Sequence, residues 1–399
     1  MRPTVLDTTG ARLFEQAEEL RAAGPAVRVS LPGGLTAWSV SRGELVRRLL
    51  VHPDVSKDAR KSWPGYRPGA VPWLTVWVDL VSMFTSDGPD HHRLRSLVGQ
   101  AFTPRRINAL RPAVERITSE LLDAMAGLPQ GQEADLRALF AYPLPTRVIC
   151  DLFGVPQEQR PAMLRVIDRV LDTTVTPEEA ERIGYELFAA MDRLITAKRE
   201  RPGDDLTSVL LAVHGEDGDR LGEQELVSTL ILLIGAGSET TVSLIGHAAQ
   251  ALLAHPAQLA AVLADPTRWD DVIEETLRLH SPVMHLPLRY ATADIDLEGE
   301  TVRAGDLLIL AFGAHGRDPE VHERPGEFDI DRADKQHLAF GHGVHYCLGA
   351  PLARLEAKVA LPALFARFPG LRAAPGGESG PTQPSFITTD RLSRPVLLA

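Results

Sequence analysis

The stretch Phe340–Arg354 reads Phe-Gly-His-Gly-Val-His-Tyr-Cys-Leu-Gly-Ala-Pro-Leu-Ala-Arg. Cys347 sits where a glycine-rich loop turns into a helix. Gly341 and Gly343 permit backbone conformations and close approaches that a Cβ forbids. Leu348, Leu352, Leu355 and Val359 follow at helical spacing and form one apolar stripe, so this helix is buried. Pro351 fits only near the helix start, where its missing N–H costs nothing. Cys347 therefore lies at or just before a helix N-terminus, whose partial positive charge favours the thiolate. A buried thiolate with glycine clearance in front of it suits a large, flat metal cofactor. A structural cysteine and a zinc site built on His345 and Cys347 are the bland alternatives. The chain has two cysteines, Cys150 and Cys347, whereas structural zinc takes four ligands, mostly Cys and His.

Other residues have chemistry-bearing spacing. A long apolar helix is expected over Gly222–Ala254, and its centre reads Gly235-Ala236-Gly237-Ser238-Glu239-Thr240-Thr241. Two glycines there cost about 1 kcal/mol each against Ala, which implies close approach by something flat. The Thr240 hydroxyl can reach the Ala236 carbonyl four residues back. His91 and Arg95 are also four apart, on one face of a helix that Asp90 is expected to cap. Glu275 and Arg278 can pair on another helix.

The pattern Phe340-Gly341-x-Gly343-x-His345-x-Cys347-x-Gly349 resembles the haem-binding loop of the cytochromes P-450. The resemblance implies that Cys347 is the proximal iron ligand and pushes electron density towards O–O cleavage. It implies cofactor-binding positions at Phe340, Gly341, His345 and Gly349. His91 and Arg95 resemble the family's His-x-x-x-Arg that holds a haem propionate, and Arg289 matches an arginine that pairs with one. Ala236 and Gly237 would flank the haem. Glu239 and Thr240 would be the acid–alcohol pair that delivers protons. Glu275-x-x-Arg278 matches an ion pair that braces the cysteine loop. For substrate, the resemblance points to Trp77, Met83 and Phe84 in a covering loop and to Leu233 and Ala236 on the central helix. Val283, Met284 and Leu286 follow Pro282, and Phe386 and Ile387 sit at a last hairpin tip.

The implied activity is a haem-thiolate monooxygenase carrying haem b. It would hydroxylate or epoxidise an apolar small molecule, such as a macrolide, steroid or other secondary metabolite. It would use O2 and electrons from NAD(P)H through ferredoxin reductase and ferredoxin. A peroxide-driven hydroxylase or isomerase is a second reading, and a non-enzymatic haem sensor or carrier a third. The Glu239–Thr240 pair argues against both, because neither needs proton delivery from that helix. Arg93, Arg105, Arg106, Lys335 and Arg354 are expected to form a basic patch for an acidic ferredoxin.

The elements that must position these groups are mostly helical. Helices are expected over Ala11–Ala23, Arg42–Leu50, Pro112–Met125, Leu136–Leu152, Gln157–Leu171, Glu178–Lys198 and Asp270–His280. Hairpins are expected at Val27–Val40 and Ile295–Val302. Residues 62–84 lack periodicity and carry aromatics, as a packed loop or ligand lid does. The fold class is mainly α with small β-sheets (α+β). The resemblance makes it a triangular-prism helical body with haem between the central helix and the cysteine-loop helix. No linker, repeat or low-complexity tract divides residues 1–399, so one domain is expected.

The net charge of −11 argues against nucleic-acid binding. The first residues lack an apolar stretch of the signal-peptide kind. The best membrane candidate, Leu226–Leu253, is interrupted by Ser238, Glu239 and His247. A cytoplasmic monomer without membrane association is expected.

Overall fold

The computed structural model describes residues 3–129, 131–215, 218–376 and 380–398. Its axis is the helix Glu223–Ala254, 32 residues long. At 1.5 Å per residue it spans about 48 Å. Glu225 opens it by accepting the Gly222 N–H at 2.9 Å. By length and composition this helix could cross a bilayer, but 61% of its most apolar window is buried inside the protein. It is the core helix of a helical body. Helices Pro143–Leu152, Pro177–Glu200, Trp269–Leu279 and Ala350–Arg367 pack around it.

A six-stranded sheet stands at one side. Its strands run in the order Thr4–Val5, Val27–Leu31, Leu35–Val40, Leu307–Ala311, His285–Ala291, Val55–Ser56. Leu308 and Leu310 face one apolar cluster with Val40 and Phe312, while Leu307 and Ile309 face another with Leu288 and Tyr290. The strand His285–Ala291 pairs with Leu307–Ala311 through Leu286↔Leu310 and Arg289↔Leu308. One strand spends three steps where its partner spends two, so a β-bulge lies at Pro287–Leu288. Proline belongs at such a place because it has no N–H for the ladder.

The observed helices match the sequence periodicity to within a few residues, with one break. Instead of a continuous Leu136–Leu152 helix, a π-helical turn covers Arg137–Ala141 before Pro143–Leu152 begins. Pro143 cannot donate to a carbonyl one turn back, so the α-helix cannot run through it. Short helices at Pro104–Ala109, Leu206–Ala212 and Pro256–Ala264, and a sheet of Glu133–Asp135, Pro395–Leu397 and Arg372–Ala373, were not apparent in the pattern.

The loop leading to Cys347 is pinned from behind. Glu275 and Arg278 are both fully buried. Arg278 donates to both carboxylate oxygens, Nε to Oε2 at 2.7 Å and Nη2 to Oε1 at 2.8 Å. Its remaining donors reach the carbonyls of Gly316, Pro325 and Glu327. Glu275 also accepts from the Asp329 N–H at 2.9 Å and from Arg332 Nε at 3.2 Å. Removing Glu275 leaves the Arg278 charge buried without its carboxylate, and removing Arg278 leaves Glu275 with only Arg332. Glu275→Ala or Arg278→Ala should each cost about 3–5 kcal/mol of stability. Denaturant unfolding checks this, and a loss under 1 kcal/mol would mean the pair is dispensable.

Candidate active site

Cys347 follows a short 3₁₀ turn, Gly343–His345, and precedes the helix Ala350–Arg367. Gly341 and Gly343 both have φ of +74°. A Cβ on Gly343 would also lie 2.5 Å from Val51 Cγ1, so glycine is required there twice over. The Cys347 N–H donates to the Phe340 carbonyl at 2.8 Å and closes the loop. Arg354 lies 4.5 Å over the Phe340 ring and donates to Glu274 at 2.6 and 2.9 Å. Of the expected stripe, Leu352, Leu355 and Val359 are buried, while Leu348, just before the helix, is half-buried.

Cys347 is exposed yet crowded by protein on most sides, so it sits in a recess. That enclosure pushes its pKa above the usual thiol value, while the backbone N–H groups of Gly349 and Ala350 pull it back. The sequence reading is corrected here: in the protein alone, the helix terminus is outweighed by desolvation. A metal cation at the sulfur would reverse that balance.

Behind the recess lies a cluster of cationic groups around one carboxylate. Asp87 Oδ2 accepts from Ser56 Oγ at 2.7 Å and from the Lys57 N–H at 2.6 Å, and Oδ1 meets His345 Nε2 at 3.2 Å. Burial alone would raise the Asp87 pKa, but His345, Ser56 and Lys57 hold it well below the usual range. The helix over Gly88–Ala101 starts one residue after Asp87, with Pro89 in its first turn. Asp87, not Asp90, therefore holds the N-cap position, and its carboxylate serves this cluster without capping the helix. His91 packs on His345 with ring centroids 4.4 Å apart, and Arg95 donates to the Tyr346 carbonyl at 2.7 Å. Burial, then His345, lower the His91 pKa to about 4. Arg289 is buried, and burial lowers its pKa to about 10 against the pull of Asp87.

These residues fit a flat, acid-bearing metal cofactor. His91 Nε2 is buried without a hydrogen-bond partner among the described residues. A buried orphan donor is costly and marks a place for a ligand acceptor. Asp87 alone cannot balance Arg289 and Arg95, whereas two cofactor carboxylates can, and His91, neutral with its pKa lowered to about 4, offers a hydrogen bond instead of a charge. Among the described residues no group of three or more His, Cys, Asp and Glu could hold a bare metal ion. Cys347 alone therefore suits a metal that brings its own ring of ligands, as haem does.

Across the recess, the central helix presents Ala236, which is exposed, and Gly235, around which a Cβ would meet open space. The Thr240 hydroxyl donates to the Ala236 carbonyl at 2.9 Å. Gly237 has a different reason from the one expected: its missing Cβ makes room for Ile149, whose Cδ1 would lie 2.6 Å from it. Glu239 turns away from Thr240. It is buried and accepts from Arg137 Nη2 at 3.0 and 3.2 Å. Arg137 Nε also donates to Asp390 at 2.9 Å. Burial is the main cause that raises the Glu239 pKa from 4.5 to about 7, with Asp390 and Asp168 adding to it and Arg137 opposing.

On the substrate side, Trp77, Phe84, Leu233, Val283 and Leu286 are half-buried, as lining residues are. Met83, Met284, Phe386 and Ile387 are buried. Met284, Phe386 and Ile387 pack in the core behind the sheet, where Trp73 meets Phe386 edge to face. The expected basic patch is largely neutralised. Arg93 pairs with Asp219 and Glu225, Lys335 with Asp271 and Arg354 with Glu274. Arg105 remains exposed. Sequence reasoning missed Asp87, Lys57 and Arg137. Pro89 signalled the cap at Asp87. No local pattern marks the other two.

A family model described as Cytochrome P450 matches residues 269–388. A 2-hydroxy-5-methyl-1-naphthoate 7-hydroxylase of Streptomyces carzinostaticus is 44% identical, covering 100% of this chain and 98% of its own. The cytochrome P450 monooxygenase PikC of Streptomyces venezuelae is 43% identical over 88% of this chain and 83% of its own. The solved structure of CYP154A1 from Streptomyces coelicolor A3(2) is 48% identical and superposes with a TM-score of 0.93, covering 99% of this chain and 100% of that one.

The Glu239 environment predicts a pH effect. An acid whose pKa is raised on folding binds more protons folded than unfolded. Its contribution to stability is then fullest below 4.5 and is lost as pH rises through about 7. The stability of wild type relative to Glu239→Gln should fall between those values. In Arg137→Met the opposing cation is gone, so the fall should extend to higher pH. A difference that is flat with pH would show that Glu239 titrates normally.

Proposed function

The chain belongs to the cytochrome P450 family, and from that premise we propose that it hydroxylates or epoxidises an apolar secondary metabolite with haem b, O2 and electrons passed from NAD(P)H by ferredoxin reductase and ferredoxin. It is a P450 monooxygenase, and such bacterial enzymes work with redox partner proteins and small-molecule substrates. The observation that carries the reading is Cys347, open at the end of a recess whose rear wall holds Arg289, Arg95 and the unpartnered His91.

In this reading Cys347 ligates the iron, and the N–H groups of Gly349 and Ala350 steady the sulfur's charge. Arg289, Arg95, His91 and His345 balance the two propionates, which would otherwise be costly to bury. Phe340, Gly341 and Gly349 shape the loop against the ring, and Ala236 leaves it room. When bound, the haem supplies oxygen activation and the transfer of one oxygen atom. The apolar walls at Trp77, Phe84, Leu233, Val283 and Leu286 orient the substrate and exclude water. Met83, Met284, Phe386 and Ile387 support those walls from the second layer.

Thr240 holds a proton-bearing hydroxyl at the recess, and its bond to Ala236 supports that placement. Glu239 is suited to supplying protons because its pKa of about 7 lies near working pH. Its carboxylate must leave Arg137 to reach Thr240, so Arg137 controls the supply. The relative named as a 2-hydroxy-5-methyl-1-naphthoate 7-hydroxylase supports a ring-bearing small molecule as substrate.

Two experiments test this. Cys347→His should abolish the red-shifted Soret band of the reduced carbon-monoxide complex; a mutant that keeps the band would mean another proximal ligand. Thr240→Ala should stay folded and haem-replete and keep most NADPH oxidation with ferredoxin and its reductase. Its ratio of product to hydrogen peroxide should drop about tenfold or more. An unchanged ratio would mean that protons arrive by another route.

A further inference from the structure

Lys57 is 4% exposed, and neither its sequence context nor the chemistry above gives it a role. A buried ammonium is costly to desolvate, so its contacts must compensate. Its Nζ donates to the Pro287 carbonyl at 2.7 Å and to the Leu288 carbonyl at 3.1 Å. It also lies 3.9 Å over the centre of the Phe84 ring. A desolvated cation over an aromatic face is a favourable contact.

Each contact lies beside a residue that the proposed function assigns to the substrate: Phe84 itself, and Leu286 next to Pro287. The two carbonyls belong to the bulge between Leu286 and Arg289. The edge strand Val55–Ser56 ends opposite Tyr290, so it cannot pair with that bulge. Lys57 follows this strand directly and extends its side chain along the edge in the strand's place. The bulge matters because of its parity. Leu308 and Leu310 share one face of the sheet, so their partners Arg289 and Leu286 share it too. In a regular strand, residues three apart point to opposite faces; the bulge absorbs one residue and so keeps Leu286 and Arg289 on the same face. Burial, then Arg289, depress the Lys57 pKa, and Asp87 opposes them.

We propose that Lys57 is a positioning residue that clamps Phe84 to the bulge at Pro287, and so sets the two walls that Phe84 and Leu286 offer to substrate. The inference rests on the haem reading above. It assigns Lys57 a selective effect on ligands that reach those walls and none on ligands that do not.

Azole binding to the holoenzyme, read as a Soret shift, separates the possibilities. Imidazole presents one small ring, whereas 4-phenylimidazole carries a second, apolar ring that the proposal places against Phe84 and Leu286. In Lys57→Met, 4-phenylimidazole should bind about tenfold more weakly while imidazole stays within about twofold, the scale that reshaping an apolar pocket produces. If Lys57→Met does not fold, Lys57→Gln keeps N–H donors for the carbonyls and removes the charge over Phe84; the same selective loss is expected. An unchanged ratio of the two affinities, or equal weakening of both, overturns the proposal and leaves the haem reading intact. Absence of any Soret band in wild type purified with haem supplied would instead overturn the haem reading.

Discussion

A carboxylate and a guanidinium buried together at zero exposure constrain everything around the site. Glu275 and Arg278 cannot be left half-satisfied, because each lone charge in the interior costs several kcal/mol. Their spare donors and acceptors are taken by backbone groups from Gly316 to Asp329, the segment that approaches the cysteine loop. That segment has little regular structure of its own. Its path is fixed by having to deliver carbonyls and an N–H to this pair. The loop that presents Cys347 inherits its position from electrostatic bookkeeping two layers behind it.

A second electrostatic constraint works from the opposite side. Asp87 gathers Ser56, the Lys57 backbone and His345, which come from an edge strand and the cysteine loop. It stands where a helix begins, so the helix carrying His91 and Arg95 is aimed at the same place. The cations gathered there exceed the acids, so the place suits an acid-bearing ligand. The central helix faces this arrangement with small residues, and its own buried carboxylate, Glu239, is tied to Arg137 on the far side.

Much of this was legible in the order of residues. The apolar stripe after Cys347, the glycines before it and the Glu275–Arg278 spacing are local patterns, and local patterns survive translation into structure. The hydroxyl of Thr240 four residues after Ala236 is likewise a property of one helix. What could not be read depends on segments far apart in the chain. Arg137 meets Glu239 across 102 positions, and Lys57 meets Pro287 across 230. No periodicity encodes such meetings. The partners of the expected basic patch were hidden for the same reason: Arg93 looks free in sequence, but Asp219 and Glu225, which it meets, lie far downstream. The role of Gly237 was misjudged because a glycine signals close approach without naming what approaches.

That contact between Gly237 and Ile149 has a mechanical meaning. A straight helix has no intrinsic stop against turning about its own axis, and apolar packing resists rotation only softly. A side chain seated in a glycine notch acts as a key in a keyway. Ile149 on the helix Pro143–Leu152 occupies that notch, and Thr240 lies one turn beyond it on a neighbouring flank. The bearing of the Thr240 hydroxyl is thus set by a residue that touches neither the recess nor anything in it. Changes in the size of residue 149 would be felt as a change of angle at the site, with the chemistry of every group there left as it was.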